Sequence, residues 1–199
     1  MNKNLFAKAK ADPKNALHVA LALFRGHLIK YRYRLRKKDV QIGSSFRAYS
    51  DLRIKGSGKV VLGDKLSVDL SFLRIPTILT HSQDSVVEIG SGCYLGGIRI
   101  SCLGSVSIGN EVLMGSTTII DSDMIPNENM AVDEKWKEEH CKPVKVGSYV
   151  WAGINSFIMG GTTLADECVL GAGSVILNKE AAERSLMVGN PARKVGVTR

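Results

Sequence analysis

At 199 residues, with 44% hydrophobic and 23% charged residues, the chain has the balance of a soluble globular protein: one sizeable domain plus an appendage. Twenty glycines against five prolines, with 6% aromatics, predict many tight turns and argue against a helical bundle. The net charge of +8 is concentrated at one end. Residues 1–38 hold 11 Lys/Arg against a single acid, Asp12, for a net +10, whereas the remainder holds 16 against 18 for −2. The four cysteines, Cys93, Cys102, Cys141 and Cys168, form no C-x-x-C pair and have no histidine at zinc-ligand spacing. Packed thiols of a reducing, cytoplasmic compartment are therefore expected, and no metal.

The first predicted element is a helix in the basic segment, 1–38. Asp12-Pro13 has the chemistry of a helix start, an acidic cap followed by proline at the first helical position. Leu17, Ala20, Leu21, Phe24, Leu28, Tyr31 and Leu35 then recur at helical spacing, with His18, Arg25, Arg32 and Arg36 off their stripe. The pattern predicts a basic amphipathic helix of about 24 residues. The apolar run Ala16–Phe24 is too short to cross a bilayer. A basic stretch follows it where a signal peptide would have its small-residue cleavage site, so secretion is not expected. Three roles compete for the helix: packing its stripe over the end of the main domain, holding the protein at an anionic cytoplasmic membrane face, or binding nucleic acid through Tyr31–Lys38. Nucleic acid ranks last, because no recognised nucleic-acid-binding fold accompanies the segment.

From about Val40 to Ile176 the chain repeats every six residues. Ile42-Gly43, Leu62-Gly63 and Ile89-Gly90 open the series. Ile108-Gly109 follows, leading to Met114 and Ile120 with Thr118 at the small position. The register is longest at the C-terminal end, where Val146, Ala152, Ile158, Leu164, Leu170 and Ile176 are all apolar. Four residues after each of the first five come Val150, Ser156, Thr162, Cys168 and Ser174, and directly after the anchors come mostly small residues such as Gly147, Gly153 and Gly171. Helices repeat near 3.6 and ordinary strands near 2, so neither sustains this register. Six residues form one short strand and a bend, and three such units close a triangular coil. Anchors fill the prism, small residues sit at its corners, and glycine is expected to relieve strain at the bends. The fold class is therefore mainly β, a left-handed parallel β-helix over 39–178 with an N-terminal amphipathic α-helix and a C-terminal tail, 179–199. Between Ile108 and Val146 the spacing exceeds one coil by about 20 residues, so a polar loop at about 121–143 is predicted to leave the helix. Long loops on rigid scaffolds carry function.

Three ordered motifs then resemble the hexapeptide-repeat acyltransferases, in particular their sugar O-acetyltransferase branch. These are Lys142-Pro143-Val144-Lys145-Val146-Gly147-Ser148-Tyr149-Val150-Trp151-Ala152-Gly153, Leu170-Gly171-Ala172-Gly173-Ser174-Val175 and Val188-Gly189-Asn190-Pro191-Ala192-Arg193. The resemblance implies a homotrimer that takes acetyl-CoA as acyl donor in the groove between neighbouring β-helices. Gly153 and Ala172 would contact the pantetheine arm, with Asn178, Lys179 and Arg193 near the nucleotide end. The implied acceptor is a carbohydrate hydroxyl, including sugars carried on a lipid, in surface polysaccharide assembly at the inner face of the membrane. Trp151 is read as a subunit contact.

The chemistry departs from the family. A hydroxyl needs a base matched to neutral pH, and the family uses one histidine just before the ejected loop. In Asp121-Ser122-Asp123-Met124-Ile125-Pro126 that slot holds Ile125, which accepts no proton. Three readings stay open. His140 at the far end of the loop, or Asp123, substitutes for the missing base; transfer proceeds slowly by positioning alone; or the protein is a catalytically degenerate binding or assembly component.

Overall fold

The structure, a computed structural model, describes residues 12–36, 39–70, 74–123 and 133–198. Three parallel sheets form the faces of a prism. The first face stacks Val40–Ile42, Lys59–Leu62, Val86–Ile89, Ser105–Ile108, Val144–Val146, Thr163–Leu164 and Glu180–Ala181. The second begins at Arg47–Ala48 and runs through Tyr94–Gly96, Leu113–Gly115, Trp151–Ala152 and Val169–Leu170 to Ser185–Gly189. The third runs from Arg53–Lys55 through Thr77–Thr80, Arg99–Cys102, Thr118–Ile120 and Phe157–Met159 to Val175–Ile176. This is the left-handed β-helix that the six-residue period predicts.

All six C-terminal anchors, Val146 to Ile176, are buried, and so are the five small corner residues. On the third face the pairing register stacks Ile54, Ile78, Ile100, Ile119, Ile158 and Ile176 into one ladder of branched side chains. Each buried isoleucine contributes roughly 1.5–3 kcal/mol of transfer free energy, a gain that depends on the coils above and below.

Three expectations are corrected. The inward residue near the loop is Ile119 and not Ile120, which is only half-buried, and the corner residue is Thr117, 3.2 Å from Ser156 through its hydroxyl. The corner before this strand is one residue shorter than six, which slides the side-chain alternation by one. The glycines after the anchors are not the bends. Left-handed backbone occurs instead at Lys65, Glu111, Tyr149, Asn155 and Glu167 among others. Gly43, Gly63, Gly90, Gly109 and Gly147 are needed because successive coils approach so closely there: a Cβ on Gly63 would lie 2.6 Å from the carbonyl carbon of Gly90. The coil also does not end at 178. Glu180–Ala181 and Ser185–Gly189 add parallel rungs with Ala181 and Met187 buried, and Ala192–Val197 then turns back antiparallel on the last of them.

Helix α1, Pro13–Leu35, starts as predicted, with the Asp12 carboxylate accepting from Asn15 N at 3.0 Å. Its orientation is the reverse of the expected packing. Ala22, Gly26, Ile29 and Tyr33 face the β-helix and are buried, whereas Leu17, Leu21, Phe24, Leu28, Tyr31 and Leu35 are exposed. The reason lies in the first coil, whose backbone groups at the open end of the prism need partners. Tyr33 Oη donates to Leu52 O at 2.9 Å and accepts from Ile54 N at 2.7 Å. Arg32 binds Leu52 O and Asp51, Arg25 binds Tyr49 O, and Lys30 binds Gly43 O. Gly26 permits the approach, since a Cβ there would collide with Phe46 O. Tyr33→Phe takes the hydroxyl from the buried Ile54 N–H and leaves Leu52 O with Arg32 alone. It is expected to cost about 1–3 kcal/mol, read as a lower denaturant midpoint with unchanged m-value.

Candidate active site

The loop leaves the prism at the end of the third-face strand Thr118–Ile120, and its two ends are tied together. Ser122 and Cys141 form an antiparallel bridge, Asp123 N donates to His140 O at 3.0 Å, and Lys142 N donates to Asp121 O at 2.8 Å. Asp121 anchors this junction from inside. Its carboxylate is fully buried and accepts from Leu103 N at 2.8 Å, from Gly104 N at 2.7 Å and from the Cys102 thiol at 3.4 Å. Burial pushes the Asp121 carboxyl up, against the pull of those backbone N–H groups. Asp121→Asn presents an amide N–H to one of the two backbone donors. It is expected to lower stability by about 1.5–3 kcal/mol and to loosen the loop, which thermal unfolding and amide exchange at Leu103 and Gly104 would register.

Within the loop, Glu134–His140 forms a short helix, α2, capped by Asp133, whose carboxylate accepts from Trp136 N at 2.8 Å. Lys137 joins α2 to the prism through a 2.9 Å bridge to Asp84 and holds that carboxyl below its ordinary range. Trp136 lies against the His140 ring, with centroids 4.5 Å apart. These restraints set His140 Nδ1 at 2.9 Å from Asp123 Oδ1. The pair opens on a pocket of about 390 Å³ lined also by Lys142, Met159, Gly160, Leu177 and Asn178. A carboxylate on one ring nitrogen selects the tautomer with hydrogen on Nδ1 and leaves Nε2 as a free acceptor. The two residues that the sequence offers as alternative bases thus meet as one carboxylate–imidazole pair. Met124 and Ile125 lie outside the described residues.

The residues that the resemblance assigns to the donor are divided. Gly153 and Ala172 are stacked in adjacent coils, such that a Cβ on Gly153 would lie 2.5 Å from Ala172 N. They line a second, largely apolar groove of about 370 Å³ with Leu113, Trp151 and Ile154. This groove follows the second-face strands, on a different edge of the prism from His140. Asn178 lies in the His140 pocket, Lys179 lines neither, and Arg193 is exposed on the C-terminal antiparallel strand. Asp121 and Lys142 were missed as site residues by sequence reasoning. Asp121 lies two residues beyond the inward Ile119, so strand alternation turns it into the prism; with Ile120 as the expected inward residue, the sequence turned it outward.

The family described as bacterial transferase hexapeptide (six repeats) matches residues 143–178. Among solved structures, the polysialic acid O-acetyltransferase OatWY is similar with a TM-score of 0.62 and 26% identity, covering 78% of this chain and 72% of that one. The hexapeptide repeat of bacterial transferases thus lies in the C-terminal half, and the chain has the fold of the hexapeptide-repeat acyltransferases. Another protein of similar fold is the N-acyltransferase AntD from Bacillus cereus, solved as a single-residue mutant, at TM-score 0.61 and 15% identity over 84% of this chain and 89% of that one. Serine acetyltransferase 3, mitochondrial, of Arabidopsis thaliana is 31% identical over 85 residues, 43% of this chain and 22% of that protein. A putative acetyltransferase of Staphylococcus aureus (strain MRSA252) is 39% identical over 57 residues, 29% of this chain and 28% of that one. The match thus spans about a quarter of the length of these curated relatives.

Proposed function

We propose that this hexapeptide-repeat protein transfers an acyl group, acetyl, from CoA to a carbohydrate hydroxyl, with His140 as general base. The observation that carries the reading is the 2.9 Å contact between His140 and Asp123 at the mouth of a pocket. Nε2 takes the proton of the acceptor hydroxyl as its oxygen attacks the thioester carbonyl. The C–S bond then breaks, and the CoA thiolate takes the proton back from the imidazolium. Asp123 orients the imidazole and offsets the positive charge that develops on it. The likeness to an O-acetyltransferase of a sialic acid polymer supports a sugar acceptor. The setting we propose for this transfer is cytoplasmic, in surface polysaccharide synthesis.

The donor is assigned to the groove at Gly153 and Ala172, with Asn178, Lys179 and Arg193 toward the nucleotide. Because the His140 pocket and this groove lie on different edges of one prism, a complete site calls for two copies, as in a trimer. An outward column of Tyr94, Leu113, Trp151 and Val169 on the second face, apolar apart from the Tyr94 hydroxyl and partly exposed, offers the contact. The competing reading, a degenerate binding or assembly protein, is favoured by Ile125 in the slot of the usual histidine. Calorimetry with acetyl-CoA separates the two. Saturable binding is expected, and silence at millimolar ligand would remove the enzyme reading.

A further inference from the structure

Helix α1 carries two apolar faces on opposite sides, and the β-helix uses one. Ala22, Gly26, Ile29 and Tyr33 are buried against the first coil. Leu17 (59% exposed), Leu21, Phe24 (61%), Leu28, Tyr31 and Leu35 (64%) form a continuous ridge pointing away from the prism. From Leu17 to Leu35 the helix rise makes that ridge about 27 Å long. A surface helix needs one apolar stripe, so a second of six large side chains, uncovered among the described residues, calls for an occupant.

The charges around the ridge identify the occupant. From Pro13 to Leu35 the helix has no acid. By helical spacing Lys14 borders the ridge on one side and Arg34 on the other, both exposed. Contacts from α1 reach Gly43, Phe46, Tyr49, Leu52 and Ile54, one residue or more on each side of the first coil, so the helix lies across the end of the prism with its ridge outward. No helix among the described residues is long and apolar enough to cross a membrane.

We propose that the outward ridge of α1 seats the protein in the interface of an anionic lipid bilayer, with Leu17, Phe24 and Leu28 among the acyl chains and Lys14 and Arg34 at the lipid phosphates. A ridge flanked on both sides by cations and lying at the end of a column has the geometry of a helix held in the interfacial plane, with the column standing off the surface. A second copy fits less well, because apposed ridges would bring like charges together. In a trimer with parallel columns all three ridges face the same way, which multiplies the attachment. The inference does not depend on catalysis.

The test is co-sedimentation of the full chain with vesicles of phosphatidylcholine alone and of phosphatidylcholine with phosphatidylglycerol. Binding to the anionic vesicles only, weakening as salt rises, is expected. The double substitution Phe24→Glu, Leu28→Glu is expected to weaken it at least tenfold, and Lys14→Glu, Arg34→Glu to weaken it comparably. Circular dichroism and unchanged acetyl-CoA affinity of the variants distinguish a lost membrane contact from a lost fold or a failed donor site. No sedimentation with anionic vesicles, or binding that survives Phe24→Glu, Leu28→Glu, overturns the proposal. A change of oligomeric mass in that variant without vesicle binding would assign the ridge to a second copy instead.

Discussion

Replacing His140 by alanine is expected to lower kcat for acetyl transfer by roughly 10²–10⁴-fold while leaving acetyl-CoA affinity within a fewfold of wild type. The expectation rests on division of labour. Among the described residues, Nε2 of His140 is the only proton acceptor that the site offers with a carboxylate already placed on its other nitrogen, whereas the proposed donor groove lies on another edge of the prism. Asp123→Asn is expected to give a smaller loss in the same parameter, since an amide can favour the wrong tautomer without removing the base. Release of CoA measured against a panel of oligosaccharide acceptors, together with calorimetric affinity for the donor, checks both variants. Turnover unchanged in His140→Ala would dismiss the residue as base. Residual activity that then rises in Ile125→His would show that the usual family position remains competent to supply one.

The second large effect concerns the fold. Gly63→Val is expected to destabilise the protein by about 3 kcal/mol or more, near the limit of what overpacking produces. Its Cβ would stand 2.6 Å from the Gly90 carbonyl carbon, 2.7 Å from Gly90 O and 2.7 Å from Ser91 N, all backbone of the next coil. No flexible side chain is there to move aside, so the coils must separate and strain the hydrogen bond from Gly63 N to Ile89 O. Gly104→Ala is the matched control. Its nearest neighbours would be the Asp121 carboxylate at 3.5 Å and the Cys141 Cβ at 3.6 Å, ordinary contact distances, and its φ is not left-handed. Near-neutral behaviour is expected there, and denaturant melts of the two variants side by side decide whether coil contact or bend conformation imposes glycine.

That contrast shows where the repeat was readable and where it was not. A six-residue period reports which side chains point inward, because burial selects aliphatic residues one by one along the chain. It reports less about why a small residue follows the anchor, since a tight bend and a close neighbouring coil select the same residue type. The one-residue slip from Ile120 to Ile119 was hidden for a related reason: both are isoleucine, so composition could not register a shortened corner.

The sequence alone determined the architecture, the ejected loop, the capped start of α1 and the departure at Ile125, because each depends on local pattern or on the chemistry of one side chain. Tertiary structure decided the rest. That His140 meets Asp123 depends on a loop closing on itself across 17 residues and on Asp121, Asp84 and Lys137 holding its ends, none of which has a period. Which face of α1 turns inward depended on unpaired backbone groups at the first coil, where Tyr33 and Arg32 supply donors. The bulkier stripe at Leu17–Leu35 was the stronger pattern, yet hydrogen bonding at the end of the prism left it facing outward.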